Sequence, residues 1–241
     1  MDTNFIVIFS YFIVIYRIVQ LYEVLIAMSF QNQFTKTTTD ANLMETVHHG
    51  SAEYPFRYYY ENIALFDFKC IDWHWHSELE FIYIESGNVV FDIGTVHFEL
   101  NEGNGIMINS KILHRLQSSS DAIIPNFLFQ PSFIAPQDSL IYKKYINPVI
   151  SSSLEYLVFQ PDIPWQKKAL EIIKTIIAVQ KTEFNREIIV SMSVQQLWIL
   201  LLENLTFDQF ENMGAVISRT RLQLMMQYVH AHYSENITLE D

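Results

Sequence analysis

No proline occurs between Pro55 and Pro125, and four of the six glycines, Gly87, Gly94, Gly103 and Gly105, are crowded into that interval. Proline removes a donor from a sheet ladder, so a long stretch without it is free to pair continuously. Glycines at short intervals mark tight turns. The runs they separate, Leu79–Ile84, Val89–Ile93, Val96–Leu100 and Ile106–Asn109, have the spacing of a meander of short antiparallel strands. From Pro125 onward Pro131, Pro136, Pro148, Pro161 and Pro164 break the chain into turns. Beyond Pro164 the apolar period changes from two to about 3.6. Trp165–Lys181 places Ala169, Ile172, Ile173, Ile176 and Ile177 on one helical stripe, and Glu187–Leu205 does the same with Ile188, Met192, Gln195, Ile199 and Leu202. The second helix is apolar around much of its circumference, which suits a dimer contact as well as packing inside its own domain. The expected class is mainly β with α.

The remaining composition narrows the function. Half of the 241 residues are hydrophobic and 15% are aromatic, which excludes general disorder. A single cysteine, Cys70, excludes an intrachain disulfide framework and suits a reducing cytoplasm. Cys70 itself reads as a small buried residue. The net charge of -12 repels phosphate backbones, so these residues by themselves are a poor nucleic-acid binder.

Both ends carry signals of their own. Residues 5–27 are the most apolar stretch, but Arg17, Gln20 and Glu23 interrupt it and no Lys or Arg precedes it. Residues 1–27 therefore read first as an extension upstream of a start at Met28, and otherwise as a membrane anchor or a buried strand. Residues 28–49 form a polar lead-in. At the other end, Ser218–Tyr233 has the pattern of an amphipathic helix with Leu222, Met225, Met226, Val229 and Tyr233 on its apolar side. After a turn at Ser234–Asn236, Thr238 with Asp241 three residues later has the form of a capping box, so a further helix is announced where the sequence stops.

The sharpest chemical signal is the run Trp73-His74-Trp75-His76-Ser77-Glu78-Leu79-Glu80-Phe81. In a regular strand His74, His76 and Glu80 share one face, while Trp73, Trp75, Leu79 and Phe81 take the other. Two imidazoles and a carboxylate can supply three ligands to a first-row metal, and His114 can complete a set of three nitrogens and one oxygen. Glu78 has the inward parity too, unless a bulge turns it out. Trp73 and Trp75 are expected to pack on the helices, and Tyr58, Tyr59 and Tyr60 to serve as packing ahead of the strand. His97 reads as rim or surface, His48 and His49 as solvated, and His230 and His232 as packing or exposed. No nucleophile elbow, phosphate loop or CxxC is present in the sequence.

His74, His76, Glu80 and Gly87 resemble the first cupin motif, and Leu100, Gly103, Ile108, Asn109 and His114 resemble the second. The wording WHSELEFIYIESG…INSKILH is similar to the amino-terminal sensing domain of AraC-type bacterial transcriptional regulators, and MMQYVHAHYSENITLED resembles the opening of their DNA-binding domain. The resemblance implies a cupin-like antiparallel barrel at 50–135, a helical dimerisation and linker region at 136–206, and the incomplete start of a DNA-binding domain at 218–241. It further implies a cytoplasmic homodimer that is not an enzyme. A small-molecule effector, sugars being the family's commonest theme, would bind at His74, His76, Glu80 and His114. Promoter DNA would be reached only through helix-turn-helix units missing here. The histidines persist in AraC-type sensors where no metal is documented. A divalent metal on these four residues, a polar effector pocket and plain structural hydrogen bonding therefore all remain open. The alternative activity is a metal-dependent cupin enzyme of dioxygenase or sugar-phosphate isomerase type. These 241 residues alone are expected not to bind an operator specifically; a gel shift at physiological salt with nanomolar affinity for a promoter would contradict that.

Overall fold

The strands form where apolar and polar side chains alternate, and β4 shows the rule most simply. In β4 (Asn88–Ile93) the side chains of Val89, Phe91 and Ile93 are fully buried, while Asn88, Val90 and Asp92 between them are only partly covered. The computed structural model describes residues 36–182 and 184–205, and further on 224–226, 228, 229 and 232. Among the described residues the other strands are β1 (Phe56–Asn62), β2 (Cys70–His74), β3 (Leu79–Tyr83), β5 (Val96–Asn101), β6 (Gly105–Ile108), β7 (His114–Gln117), β8 (Ile123–Phe129) and β9 (Tyr156–Phe159). The helices are α1 (Asn147–Ile150), α2 (Pro164–Val179) and α3 (Arg186–Asn204).

Two antiparallel sheets result, in the orders β1-β8-β3-β6-β9 and β2-β7-β4-β5. One apolar core lies between them, built on Ile82, Ile84, Val89, Phe91, Ile106, Leu116 and Ile124. A second core covers the outer face of the five-stranded sheet, where Leu79, Phe81, Phe127, Phe129 and Phe159 meet Ala169, Leu170, Ile173 and Ile176 of α2, with Leu197 and Trp198 of α3 behind them. Strand β3 is thus covered on both faces: Phe81 points to the helices and its neighbours Glu80 and Ile82 point into the barrel. The architecture is mainly β with α, a cupin-like barrel with helices on one side.

Turn geometry explains two of the glycines. Gly87 has φ +80°, and a Cβ there would sit 2.7 Å from the Asp121 carbonyl oxygen. Gly105 lies under α2, where a Cβ would meet Leu170 Cδ2 at 2.9 Å. Pro125 falls inside β8, opposite Tyr60 of β1. The ladder between β3 and β8 has already ended at Ile82 and Asn126, so the missing amide costs no bond on that side. The runs expected from the glycine spacing match β3, β4, β5 and β6 to within a residue at each end. Strand β9 was not anticipated; the chain returns after α1 to pair with β6 from Gly105↔Phe159 to Ile108↔Tyr156. Asn109 holds that return in place, its side-chain amide donating to the carbonyls of Val149 (3.0 Å) and Leu154 (2.8 Å).

The helical periodicity also predicts α2 and α3, but the stripe chosen in α3 faces outward. Val190, Val194, Leu197, Trp198 and Leu201 are buried, whereas Ile188, Met192 and Ile199 are 60%, 66% and 57% exposed. The described positions of the expected terminal helix, Leu224–Met226, Tyr228, Val229 and His232, are helical. Residues 1–27 and the turn and capping box at 234–241 lie outside the described residues. Among the described residues no helix is long and apolar enough to cross a membrane.

Phe81 is fully buried and stacks on Phe127 with centroids 5.3 Å apart, whereas Phe68 is 99% exposed in a left-handed conformation at φ 58°. Phe81→Ala is expected to lower unfolding free energy by about 3–5 kcal/mol and Phe68→Ala to change it by less than about 0.5 kcal/mol. Urea melts of the two variants check this, and equal losses would contradict the assignment of the outer core.

Candidate functional site

The histidine–glutamate run is not one strand. Strand β2 ends at His74, residues 75–78 cross from one sheet to the other, and β3 begins at Leu79. His74 stands directly opposite His114 of β7, past an irregularity in the ladder between Ile71 and His74. His76 sits in the crossing, where its carbonyl accepts from Lys111 N at 2.8 Å and the neighbouring Ser77 carbonyl accepts from Ser110 Oγ at 2.7 Å. Glu80 enters from β3 of the other sheet. The four side chains that the sequence singled out are therefore brought together, but by two sheets and a crossover rather than by strand parity.

All four residues are buried, His114 completely. The rings of His74 and His114 have centroids 4.1 Å apart, those of His76 and His114 5.2 Å, and those of His74 and His76 5.8 Å. One nitrogen of each histidine lies within 4.8 Å of the corresponding nitrogens of the other two. Each Nδ1 is tied to a backbone carbonyl: His74 to Asp72 at 2.7 Å, His76 to Glu78 at 3.2 Å and His114 to Ile112 at 2.8 Å. A carbonyl can only accept, so each Nδ1 carries a proton; His76 Nε2 also donates to Glu80, and the Nε2 atoms of His74 and His114 are left to face a ligand. Glu80 Oε2 lies 3.3 Å from His76 Nε2 and 3.2 Å from His114 Nε2. The contact to His114 is close enough for an ion pair but off the line of a hydrogen bond, so this buried nitrogen has no hydrogen-bond partner.

Burial pushes the His74 imidazole down to about 3, and the neighbouring His114 adds to the effect. Burial acts the same way on His76, but the bond to Glu80 and the surrounding carboxylates outweigh it and hold His76 above its usual range. Burial would raise the Glu80 carboxyl; the close approach of His114 and the hydrogen bond from His76 outweigh that and keep it ionised well below the usual carboxylate range. Glu78 is buried, but its Oε1 accepts from Gln130 Nε2 at 2.5 Å and its Oε2 stays 3.9 Å from His76 Nδ1, on the side away from the Nε2 atoms.

Several neighbours differ from the sequence expectation. His49 is buried rather than solvated, with Nδ1 2.8 Å from the Tyr59 hydroxyl and Nε2 3.0 Å from Glu45 Oε2. Burial would raise the Glu45 carboxyl, yet the hydrogen bond from His49 and the nearby imidazoles leave it below its usual range. No local pattern marks His49 or Glu45, and only folding against the barrel selects these two. His48 is exposed as expected, and so is His97, which pairs with Asp92 at 2.6 Å. His232 stacks on Tyr228 at 4.5 Å, and His230 lies outside the described residues. Trp73 and Trp75 do not pack on α2 or α3, which cover the other sheet; Trp73 shares a cavity with Met226 and Val229 of the terminal helical positions. Trp75 Nε1 donates to the Asn42 carbonyl at 2.8 Å. Trp73 lines a cavity of about 800 Å³ with Leu43, Phe68, Cys70, Asp72 and Arg115. Cys70 is buried, as expected, and its thiol is raised by that burial.

These shifts fix a pH dependence for chelator-treated protein. His74 titrates in the unfolded chain near 6.5 and in the folded chain near 3, so the unfolded state binds more protons between those values. Stability is therefore expected to fall as pH drops through 6.5 toward 3, and depressed Glu80 adds to the fall at its lower end. His76 has the opposite sign: its contribution is present below 6.5 and lost as pH rises through its raised value. Melting temperatures across this range should give a shallower acid slope for His74→Gln than for the wild type; identical slopes would contradict a buried neutral His74.

Residues 66–136 match the family model described as the AraC-like ligand binding domain. The chain is 33% identical over 210 residues to YdeC of Bacillus subtilis (strain 168), described as an uncharacterized HTH-type transcriptional regulator; the match covers 84% of this chain and 70% of that protein. Among solved structures, apo ToxT from Vibrio cholerae aligns over 80% of this chain and 70% of its own, at 9% identity and a TM-score of 0.44. Bacillus subtilis oxalate decarboxylase aligns over 25% of this chain and only 18% of its own, at 21% identity and a TM-score of 0.25. Likenesses as low as these last two bear on neither the site nor its chemistry.

Proposed function

The chain belongs to the AraC-type helix-turn-helix transcriptional regulators, and on that premise we propose that its barrel reads a small effector at the cluster of His74, His76, Glu80 and His114. The observation that carries this reading is the convergence of three Nε2 atoms and one ionised carboxylate in a buried space, with every Nδ1 held by a backbone carbonyl. Groups so fixed are preorganised to receive a ligand, since little order remains to be imposed on binding. The effector then binds one arrangement of domains or subunits better than another and shifts its population. Contact with promoter DNA is assigned to helix-turn-helix units, an assignment supported by the net charge of -12 on these residues. The outward stripe of Ile188, Met192 and Ile199 on α3 supports a homodimer. The setting proposed is the cytoplasm, and the role is regulation rather than turnover.

The cluster also fits a divalent first-row metal. Three imidazoles whose ligand atoms lie within 4.8 Å of one another, with one carboxylate beside them, form a donor set such ions prefer. The partnerless Nε2 of His114 is the group such an ion would satisfy. His74, His76, His114 and Glu80 would hold it, and when bound it would offer Lewis-acid positions to oxygen donors of an effector, such as the hydroxyls of a sugar. The same donor set supports the second reading, a metal-dependent cupin enzyme, which requires turnover in addition to binding.

Chelator-treated protein is to be melted with Mn, Fe, Ni or Zn, alone and then with a panel of sugars. A ligand at a hundredfold excess over its Kd stabilises by about 2.7 kcal/mol, a clear rise in melting temperature. The expected result is a rise with at least one metal or sugar that is lost in the His74→Ala, His114→Ala double variant. No rise with any of them, together with no metal in protein purified without chelator, would overturn the proposed site. Conversion of a bound sugar or sugar phosphate would favour the enzyme.

A further inference from the structure

A second buried polar chain lies against the cluster, and it comes from the lead-in rather than from the barrel. Trp75 separates His74 from His76, and its backbone is paired with that segment: Trp75 N donates to the Leu43 carbonyl at 3.0 Å, and Glu45 N donates to the Trp75 carbonyl at 2.9 Å. Glu45 is thereby pinned to the stretch that carries two of the three imidazoles. Its Oε2 is 3.0 Å from His49 Nε2, and His49 Nδ1 is 2.8 Å from the Tyr59 hydroxyl. The His49 ring meets His76 edge-on with centroids 5.8 Å apart. The side chain of His49 is 3% exposed and that of Glu45 15%.

The hydrogen-bond directions follow from the groups. An ionised carboxylate only accepts, so His49 Nε2–H donates to Glu45, while the Tyr59 hydroxyl, able to donate or accept, holds Nδ1. Where Nδ1 accepts the Tyr59 proton, His49 orients Glu45 without cancelling its charge. A buried charge with no counter-charge is costly. Metal ligation requires neutral imidazoles. With His74, His76 and His114 in that form, Glu80 and Glu45 set negative charge around the site, to which Glu78 behind His76 adds, and a doubly charged cation offsets that charge where a neutral effector does not.

We propose that Glu45, oriented by His49 and Tyr59, is a positioning residue that matches the three-histidine site to a divalent transition-metal cation. This rests on the metal reading of the site given above. Glu45 does not touch the metal; it acts through its charge and through its hold on the strand between His74 and His76. Groups that act on a metal from behind its ligands alter affinity by roughly 10–100-fold when removed.

The test is titration of the chelator-treated full chain with Co(II), followed by calorimetry and by visible absorption, which reports the ligand field. Wild type is expected to bind, Glu45→Gln to bind roughly 10–100-fold more weakly with shifted bands, and Glu45→Asp to recover part of the affinity. The apoprotein of Glu45→Gln should melt near the wild type, which separates positioning from folding. Tyr59→Phe removes only the hydroxyl that orients His49 and should give a smaller loss in the same direction; it decides the matter if Glu45→Gln does not fold. Wild-type affinity and spectrum in both variants would overturn this inference while leaving the three-histidine site intact. A wild type that binds no Co(II) would overturn the metal reading itself, and this inference with it.

Discussion

An ionised carboxylate buried where two sheets meet sets the terms for this end of the barrel. Glu80 comes from β3 of the five-stranded sheet, and the imidazoles that compensate it come from β7 of the four-stranded sheet and from the crossing between the two. Without those partners the charge would be too costly to bury. With them, the sheets are held together at their polar end as the apolar interior holds them elsewhere. The crossing at 75–78 has to place His76 between the sheets, and its carbonyl groups are taken up by Lys111 N and Ser110 Oγ, next to the turn that leads into β7.

The opposite face of the same strand carries the rest of the molecule. Phe81 stacks among Phe127, Phe129 and Phe159 with ring planes tilted by 8° to 12°, and α2 and α3 cover them. One strand therefore links the polar cluster to the helices. A shift of β3 by even one residue would exchange Glu80 for Phe81, placing a ring in the cluster and a carboxylate under the helices. The register of β3 against both β6 and β8 resists such a slip. The lead-in segment, which contributes Glu45 and His49, is held by a few backbone bonds to Trp75 and by the Tyr59 hydroxyl.

Much of this was legible in advance because it follows local rules. Glycine spacing located β3 to β6, and the change of period located α2 and α3. The spacing of His74, His76 and Glu80, with His114 farther on, identified the cluster. What escaped was long-range. Strand parity assumed that Trp73 to Phe81 formed one strand, but the chain changes sheets after His74, so the tryptophans do not lie under α2 and α3. The stripe of Ile188, Met192 and Ile199 was as apolar as the buried one, and only the position of α2 shows which side of α3 is covered. Strand β9 is four residues long and follows a helical stretch, too short for periodicity to mark.

By itself the sequence determined the class of fold, the positions of β3 to β6 and of α2 and α3, and which four residues, His74, His76, Glu80 and His114, would converge. Those depend on the period of apolar side chains and on residue types at fixed spacing, which are properties of neighbouring positions. Tertiary structure alone decided which partners complete the site. His49 and Glu45 are ordinary polar residues of a lead-in until folding places them against His76 and Trp75, because burial and the charges that accompany it belong to the space a residue enters and not to its position along the chain.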